Sequence, residues 1–203
     1  TSGVHIGGSD YDREISLDHA MPVLGRDTLL APGPMAAQRL PMPNAPFIDL
    51  ATWHRIPFLY TAKAKAEHAA LLDRAERPDL FARYVDIVAE HRGHELAIAV
   101  EEAKIAAGEG EARLDICGHA EARLDLAMLG RTTRDLTERV TAQLDTILAR
   151  AGVSKDEIET LLWMGGSSLF SPLREAMEAR LPGARSVSED LLGSVSRGLV
   201  LDA

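Results

Sequence analysis

The chain has 203 residues, 46% of them hydrophobic, enough for one domain or two small lobes with real cores. Its formal net charge of −9 argues against nucleic acid or an anionic membrane surface as the main partner. A single cysteine, Cys117, excludes an internal disulfide and suits a reducing compartment such as the cytoplasm, and no apolar run approaches the roughly 20 residues that span a bilayer. The chain opens Thr-Ser-Gly with no methionine and no signal-peptide pattern, as a piece cut from a longer protein would.

Val4 to Ile6 read as the end of a strand, broken by Gly7-Gly8. Ser9 is a candidate helix cap, with Asp10 and Asp12 in the first turn, where negative charge suits the positive helix end. Ile15, Leu17 and Met21 supply the apolar side, and Pro22 and Gly25 end the helix. Asp10 and Asp12 read as first-turn charges rather than catalytic carboxylates. From Gly25 to Pro57, six prolines exclude long helices, yet Leu29, Leu30, Met35, Leu40, Phe47 and Trp53 make the stretch too apolar for a disordered linker. An ordered excursion packed on a helical body is expected. Trp53, His54 and Tyr60 could serve a partner surface, but packing is the better reading, and His54 has no companion ligand for a metal.

Thr61 to Gly108 is helical. Arg77-Pro78-Asp79 breaks it, Leu80, Tyr84, Ile87 and Val88 mark one buried face, and Gly93 divides that helix from the next. In the next helix Leu96, Ala99, Val100 and Ala103 form the buried stripe, leaving Glu101 and Lys104 together on another side. Three-residue spacing makes them a surface salt bridge worth a few tenths of a kcal/mol. Glu111–Cys117 and Glu121–Met128 alternate with period two, and Gly118-His119-Ala120 joins them as a hairpin. Asp115 and Asp125 belong to its wet face, and Cys117 reads as a small buried side chain, not a nucleophile.

A long amphipathic helix runs from about Thr133 to Ala151, on the stripe Leu136, Val140, Leu144, Ile147 and Leu148, and Gly152 ends it. Ser154 and Glu157 fit a capping box. Leu161 to Met164 is a short apolar run, read as a strand buried on both faces of a mostly parallel sheet. Gly165-Gly166 and Ser167-Ser168 form a turn, after which Ser171 caps a helix with Pro172 in its first position. Such a turn lets a ligand approach the backbone, and the helix N-terminus favours anions. Ser188 caps a last helix through Leu191, Val195, Leu199 and Leu201.

Four of these stretches, in the same order, resemble the DnaK-type 70-kDa heat-shock chaperones of the actin-like ATPase superfamily. TLLWMGGSSLFSPLREAMEARL is similar to the last strand, Gly-Gly-Ser-Ser/Thr turn and helix of their nucleotide-binding domain. HIGGSDYDREI resembles a Gly-Gly-x-Asp-Phe-Asp turn near the nucleotide phosphates, and also the family's earlier phosphate loop; the former fits better, because a helix is expected after it. ELAIAVEEAKIAAGEGEARLDI resembles the helix whose Glu and Lys hold the ribose and whose Ser approaches adenine, and GSVSRGLVLDA resembles the family's terminal segment. PMPNAPFIDLATWHRIPFLY is closest to a divergent, uncharacterised branch.

The resemblance implies an α/β fold: most of the second lobe of an actin-like (ribonuclease-H-like) ATPase domain. Residues 9–130 would form a helix-rich, mobile upper subdomain with a small antiparallel sheet. Residues 1–8 and 131–203 would form a strand-turn-helix lower core. It implies ATP/ADP as ligand, with Mg2+ in the full-length parent, and a chaperone client or co-chaperone as protein partner. The nucleotide-binding residues would be Gly7, Gly8, Glu101, Lys104, Gly108, Gly165, Gly166, Ser167 and Leu169, with no catalytic or metal-binding residue in this chain. Gly108 replaces the family's Ser, and Leu169 replaces an Arg that stacks on adenine, a cation–π contribution of roughly 0.5–1 kcal/mol or more. The glycine turn and the Glu-Lys helix are expected to line opposite walls of one crevice. The parent would hydrolyse ATP, whereas the chain alone would not, because the charge clamps and metal come from the rest of the domain. Two other readings remain: a non-enzymatic interaction module on a degenerate actin-like fold, and a sugar-kinase-like relative.

Overall fold

The computed structural model describes residues 3–32, 38–166 and 170–188. The chain is mixed α/β, mostly helical, and each of its sheets among the described residues has two strands. It divides into two compact units, one of Ser9–Asp125 and one of Thr1–Gly8 with Leu126–Ala203.

The Ser9–Asp125 unit starts within helix α1 (Gly8–Ile15), which runs on as one π-helical turn, Ser16–Ala20, and a 3-10 turn, Pro22–Leu24. Val4 to Ile6, expected as a strand end, have no regular structure, and Ser9 lies inside the helix rather than capping it. Gly25 closes this stretch at φ +97°, a left-handed conformation that glycine adopts without steric cost. The proline-rich excursion is ordered where described. Leu29–Leu30 (β1) pairs antiparallel with Leu40–Pro41 (β2), then come a short helix α2 (Ala45–Leu50) and a 3-10 stretch, Trp53–Tyr60.

Three helices follow: α3 (Ala62–Leu72), α4 (Pro78–Ala89) and α5 (Gly93–Ala107). Thr61 caps α3 by accepting from the Ala64 N–H at 3.2 Å. An aromatic cluster lies within the largely aliphatic core of the unit. Phe47, Phe81 and Tyr84 are fully buried and mutually packed, with centroids 5.0–5.9 Å apart. Gly93 divides α4 from α5 for a packing reason: an added Cβ would lie 2.6 Å from Ile56 Cγ2. The hairpin of β3 (Ala112–Asp115) and β4 (Glu121–Leu124) closes the unit, with Leu114 and Leu124 buried. Its second strand stops four residues earlier than the alternation suggests, since Leu126–Thr132 is helical (α6). The turn places Cys117 and Gly118 at positive φ, and Asp115 Oδ1 accepts from the Gly118 N–H at 2.8 Å.

In the other unit, α6 leads to the long helix α7 (Arg134–Ala151), ended by Gly152 in the left-handed conformation. The Ser154–Glu157 capping box forms around a single 3-10 turn. β5 (Thr160–Trp163) pairs in parallel with β6 (Arg185–Ser188), with helix α8 (Ser171–Arg180) between them in sequence. The pairing is parallel as expected, but β5 is not buried on both faces. Trp163 is buried, while Leu162 and the following Met164 are half exposed. Phe170, not Ser171, holds the cap position of α8, without a side-chain hydrogen bond. Ser188 ends β6, and the last helix it is expected to cap lies outside the described residues. Asp145 on α7 binds both Lys155, at 2.8 Å, and Arg180 on α8. Among the described residues, no helix is long and apolar enough to cross a membrane.

Candidate functional site

Helix α5 carries the two charged candidates, and the structure separates them. Leu96, Val100, Ala103 and Ala107 bury one face. Lys104 leans to the flank of that face, where its side chain is only 11% exposed. Its ammonium sits 2.7 Å from Asp12 Oδ1 on α1, not on Glu101. The expected Glu101–Lys104 surface bridge is therefore replaced by a partly buried ion pair to another helix. Glu101 points to solvent with no ion pair among the described residues.

Burial pushes the Asp12 carboxyl above its ordinary value. The Lys104 ammonium pulls the other way without cancelling the effect, and the Glu101 charge adds a smaller push upward. The sequence reading set Asp12 aside as a first-turn charge. Its partner lies too far along the chain for local spacing to reveal it.

Gly108 follows α5 at φ −69°, a conformation open to any residue, so its lack of a side chain is not imposed by the backbone. Gly7 precedes α1 and Gly8 is its first residue. An added Cβ at either would meet nothing within 4 Å, so packing does not demand glycine there. At the end of β5, Gly165 has φ +80°, which favours glycine, and Gly166 stands in open space. Ser167 and Leu169 lie outside the described residues. Glu101, Lys104 and Gly108 belong to the Ser9–Asp125 unit, and Gly7, Gly8, Gly165 and Gly166 to the other.

The strand before the diglycine turn is braced. The Trp163 indole N–H donates to Ser186 Oγ at 2.8 Å, and Ser186 donates to Glu178 at 2.7 Å. The Arg174 guanidinium lies 5.2 Å from the Trp163 ring centroid and donates to Ser188 Oγ at 3.1 Å. These contacts fix the residues on either side of the turn's entry.

The remaining candidates carry less chemistry. Cys117 is buried, and burial pushes its thiol up to about 11, so little thiolate forms near neutral pH. Trp53 is half exposed and meets His94 edge-on at 4.6 Å, and Tyr60 stacks on His91 at 4.2 Å. Among the described residues, no group of three or more His, Cys, Asp or Glu could hold a metal ion. No protein-family model matches the chain, and no curated protein matches it.

Proposed function

We propose that the chain is the second, nucleotide-contacting lobe of a 70-kDa heat-shock-like chaperone ATPase with an actin-like fold. It would act in stress response, binding ATP or ADP for a parent that signals to a protein client or co-chaperone. The observation that carries this reading is the state of Glu101, a solvent-facing carboxylate with no ion pair among the described residues, one turn from a lysine paired with Asp12. A ribose diol is a fitting partner for such a carboxylate, since each hydroxyl donates a hydrogen bond to an ionised acceptor. The space an added Cβ would find at Gly7, Gly8 and Gly166 supports the reading, because it leaves room beside the chain for a ligand.

Lys104 has a narrower role than the resemblance implies. Its charge is offset by Asp12, so it holds α5 in place and adds little net positive charge for phosphates. At Gly108 the family's serine contact is absent, and Leu169 offers an aliphatic surface where the family has a guanidinium. ATP hydrolysis and the Mg2+ that serves it would belong to the rest of the parent.

Isothermal titration of Mg-ADP into the parent protein, and into Glu101→Ala, tests the assignment. Losing hydrogen bonds to a charged group, about 1.5–3 kcal/mol, weakens binding roughly tenfold to a hundredfold. Equal affinity in the variant would remove Glu101 from the site. The absence of any nucleotide heat would instead favour an interaction module on a degenerate fold. The exposure of Phe58, at 67%, and of Trp53 on one 3-10 stretch speaks for that reading.

A further inference from the structure

Within the Leu126–Ala203 unit, helices α6, α7 and α8 enclose a cleft of about 350 Å³. That volume lies in the lower part of the range of ligand pockets, about 300–1,000 Å³. Leu126, Pro172 and Ala176 give it apolar walls. Thr137 also lines it; this residue is 9% exposed, and its buried hydroxyl has no hydrogen-bond partner among the described residues. An unpartnered buried hydroxyl is uncommon and calls for an explanation.

Three charged side chains stand around the cleft: Arg134 and Glu138 on α7, and Glu175 on α8. None of them forms an ion pair among the described residues, although Arg134 and Glu138 are one helical turn apart. Two exposed carboxylates on different helices, with one guanidinium beside them, thus border the apolar walls of the cleft. We propose that this cleft receives a lysine or arginine side chain from a partner protein. The aliphatic stem packs on Leu126, Pro172 and Ala176, and the cationic head reaches Glu138 and Glu175. Thr137 stands at the cleft wall, with its hydroxyl oxygen closed to solvent. The chain's net charge of −9 attracts such a partner from a distance. Arg134 opposes a cation here and sets an upper limit on affinity. This inference does not depend on nucleotide binding.

The test is an NMR titration of the ¹⁵N-labelled full chain with N-acetyl-arginine amide, with N-acetyl-norleucine amide as the uncharged probe. The arginine probe should give saturable shifts at Gly130, Thr137, Glu138, Glu175 and Ala176, and added salt should weaken them. The Glu138→Gln, Glu175→Gln double variant should bind it about tenfold more weakly, as expected for two solvent-exposed ion pairs. Arg134→Gln should bind it more tightly. The proposal is overturned if the norleucine probe binds equally well, if the double variant binds the arginine probe unchanged, or if the saturable shifts fall elsewhere.

Discussion

The Asp12–Lys104 pair is the most informative place to perturb this protein. Its oxygen and nitrogen are 2.7 Å apart, and the two side chains are 22% and 11% exposed. Removing one partner of a fully buried pair costs about 3–5 kcal/mol, because the other charge stays desolvated. Residual exposure softens that cost here, and Asp12 has an escape, since burial already favours its protonated form. Lys104→Met should therefore destabilise the Ser9–Asp125 unit by about 2 kcal/mol at pH 8. Asp12→Asn, which strands the ammonium, should cost a similar amount. The double variant should lose less than the sum of the two, with a coupling of about 1–2 kcal/mol. The pH dependence has a defined sign. A carboxyl whose folded pKa is raised stabilises the fold at low pH and loses that contribution as pH rises through the folded value. The Lys104→Met penalty should thus shrink as the solution is acidified toward Asp12's raised pKa. Urea unfolding followed by fluorescence in a Trp163→Phe background reads the Ser9–Asp125 unit, because Trp53 is then the only tryptophan. Strict additivity of the two single substitutions, or a Lys104→Met loss under about 0.5 kcal/mol, would refute the reasoning.

Gly93→Ala brings a methyl group within 2.6 Å of Ile56 Cγ2 and 3.1 Å of Leu50 Cδ1. Overpacking of about 1–3 kcal/mol should outweigh a helix-propensity gain of at most about 1 kcal/mol, and Ile56→Val should restore part of the loss in the same urea assay. A neutral or stabilised alanine variant would contradict the close packing. His68 is 4% exposed, and its Nδ1 has no partner among the described residues, while its Nε2 lies 3.3 Å from Tyr84 Oη. Burial lowers its pKa from 6.5 despite the charges of Glu67 and Asp49, so its contribution is complete above pH 6.5 and declines as pH falls below it. Stability should drop between pH 7.5 and 5.5, and His68→Leu should flatten that slope; an unchanged slope assigns it to other groups. Asp145, bound first by Lys155 and also by Arg180, is held below the ordinary carboxylate range, so its contribution is lost only as pH falls through that lowered value. Asp145→Asn should lower the melting temperature less in high salt than in low salt, and equal losses at both would count against an electrostatic role.

Elements with a strong period and local stop signals could be read from the chain itself. The stripe Leu80, Tyr84, Ile87 and Val88, the glycine after α7 and the Ser154–Glu157 box all depend on neighbours within a few residues. What failed was set by partners distant in sequence. Leu161 to Met164 is apolar throughout, but which faces are covered depends on what packs over the strand. The pairing of β1 with β2 spans two residues on each side, too short for any periodic signal. Gly93 was legible as a divider because glycine punctuates helices, but its cause, the approach of Ile56, is a tertiary fact.

The same limit explains the reading of α5. Local spacing offers Lys104 one visible acid, Glu101 at three residues, and an exposed bridge of that kind is worth a few tenths of a kcal/mol. Asp12 is invisible to any helical-face argument, yet the energetics favour it decisively. A carboxylate set against α5 and left unpaired would cost several times what an exposed Glu101 loses by staying in water. Lys104 is therefore drawn to the acid that needs it more, and Glu101 stays exposed at the surface. In the proposed function that outcome makes Glu101 the residue available to a ligand and Lys104 a support for the helix that presents it. Substitution of Glu101 should then change nucleotide affinity with little effect on stability, and substitution of Asp12 should do the reverse.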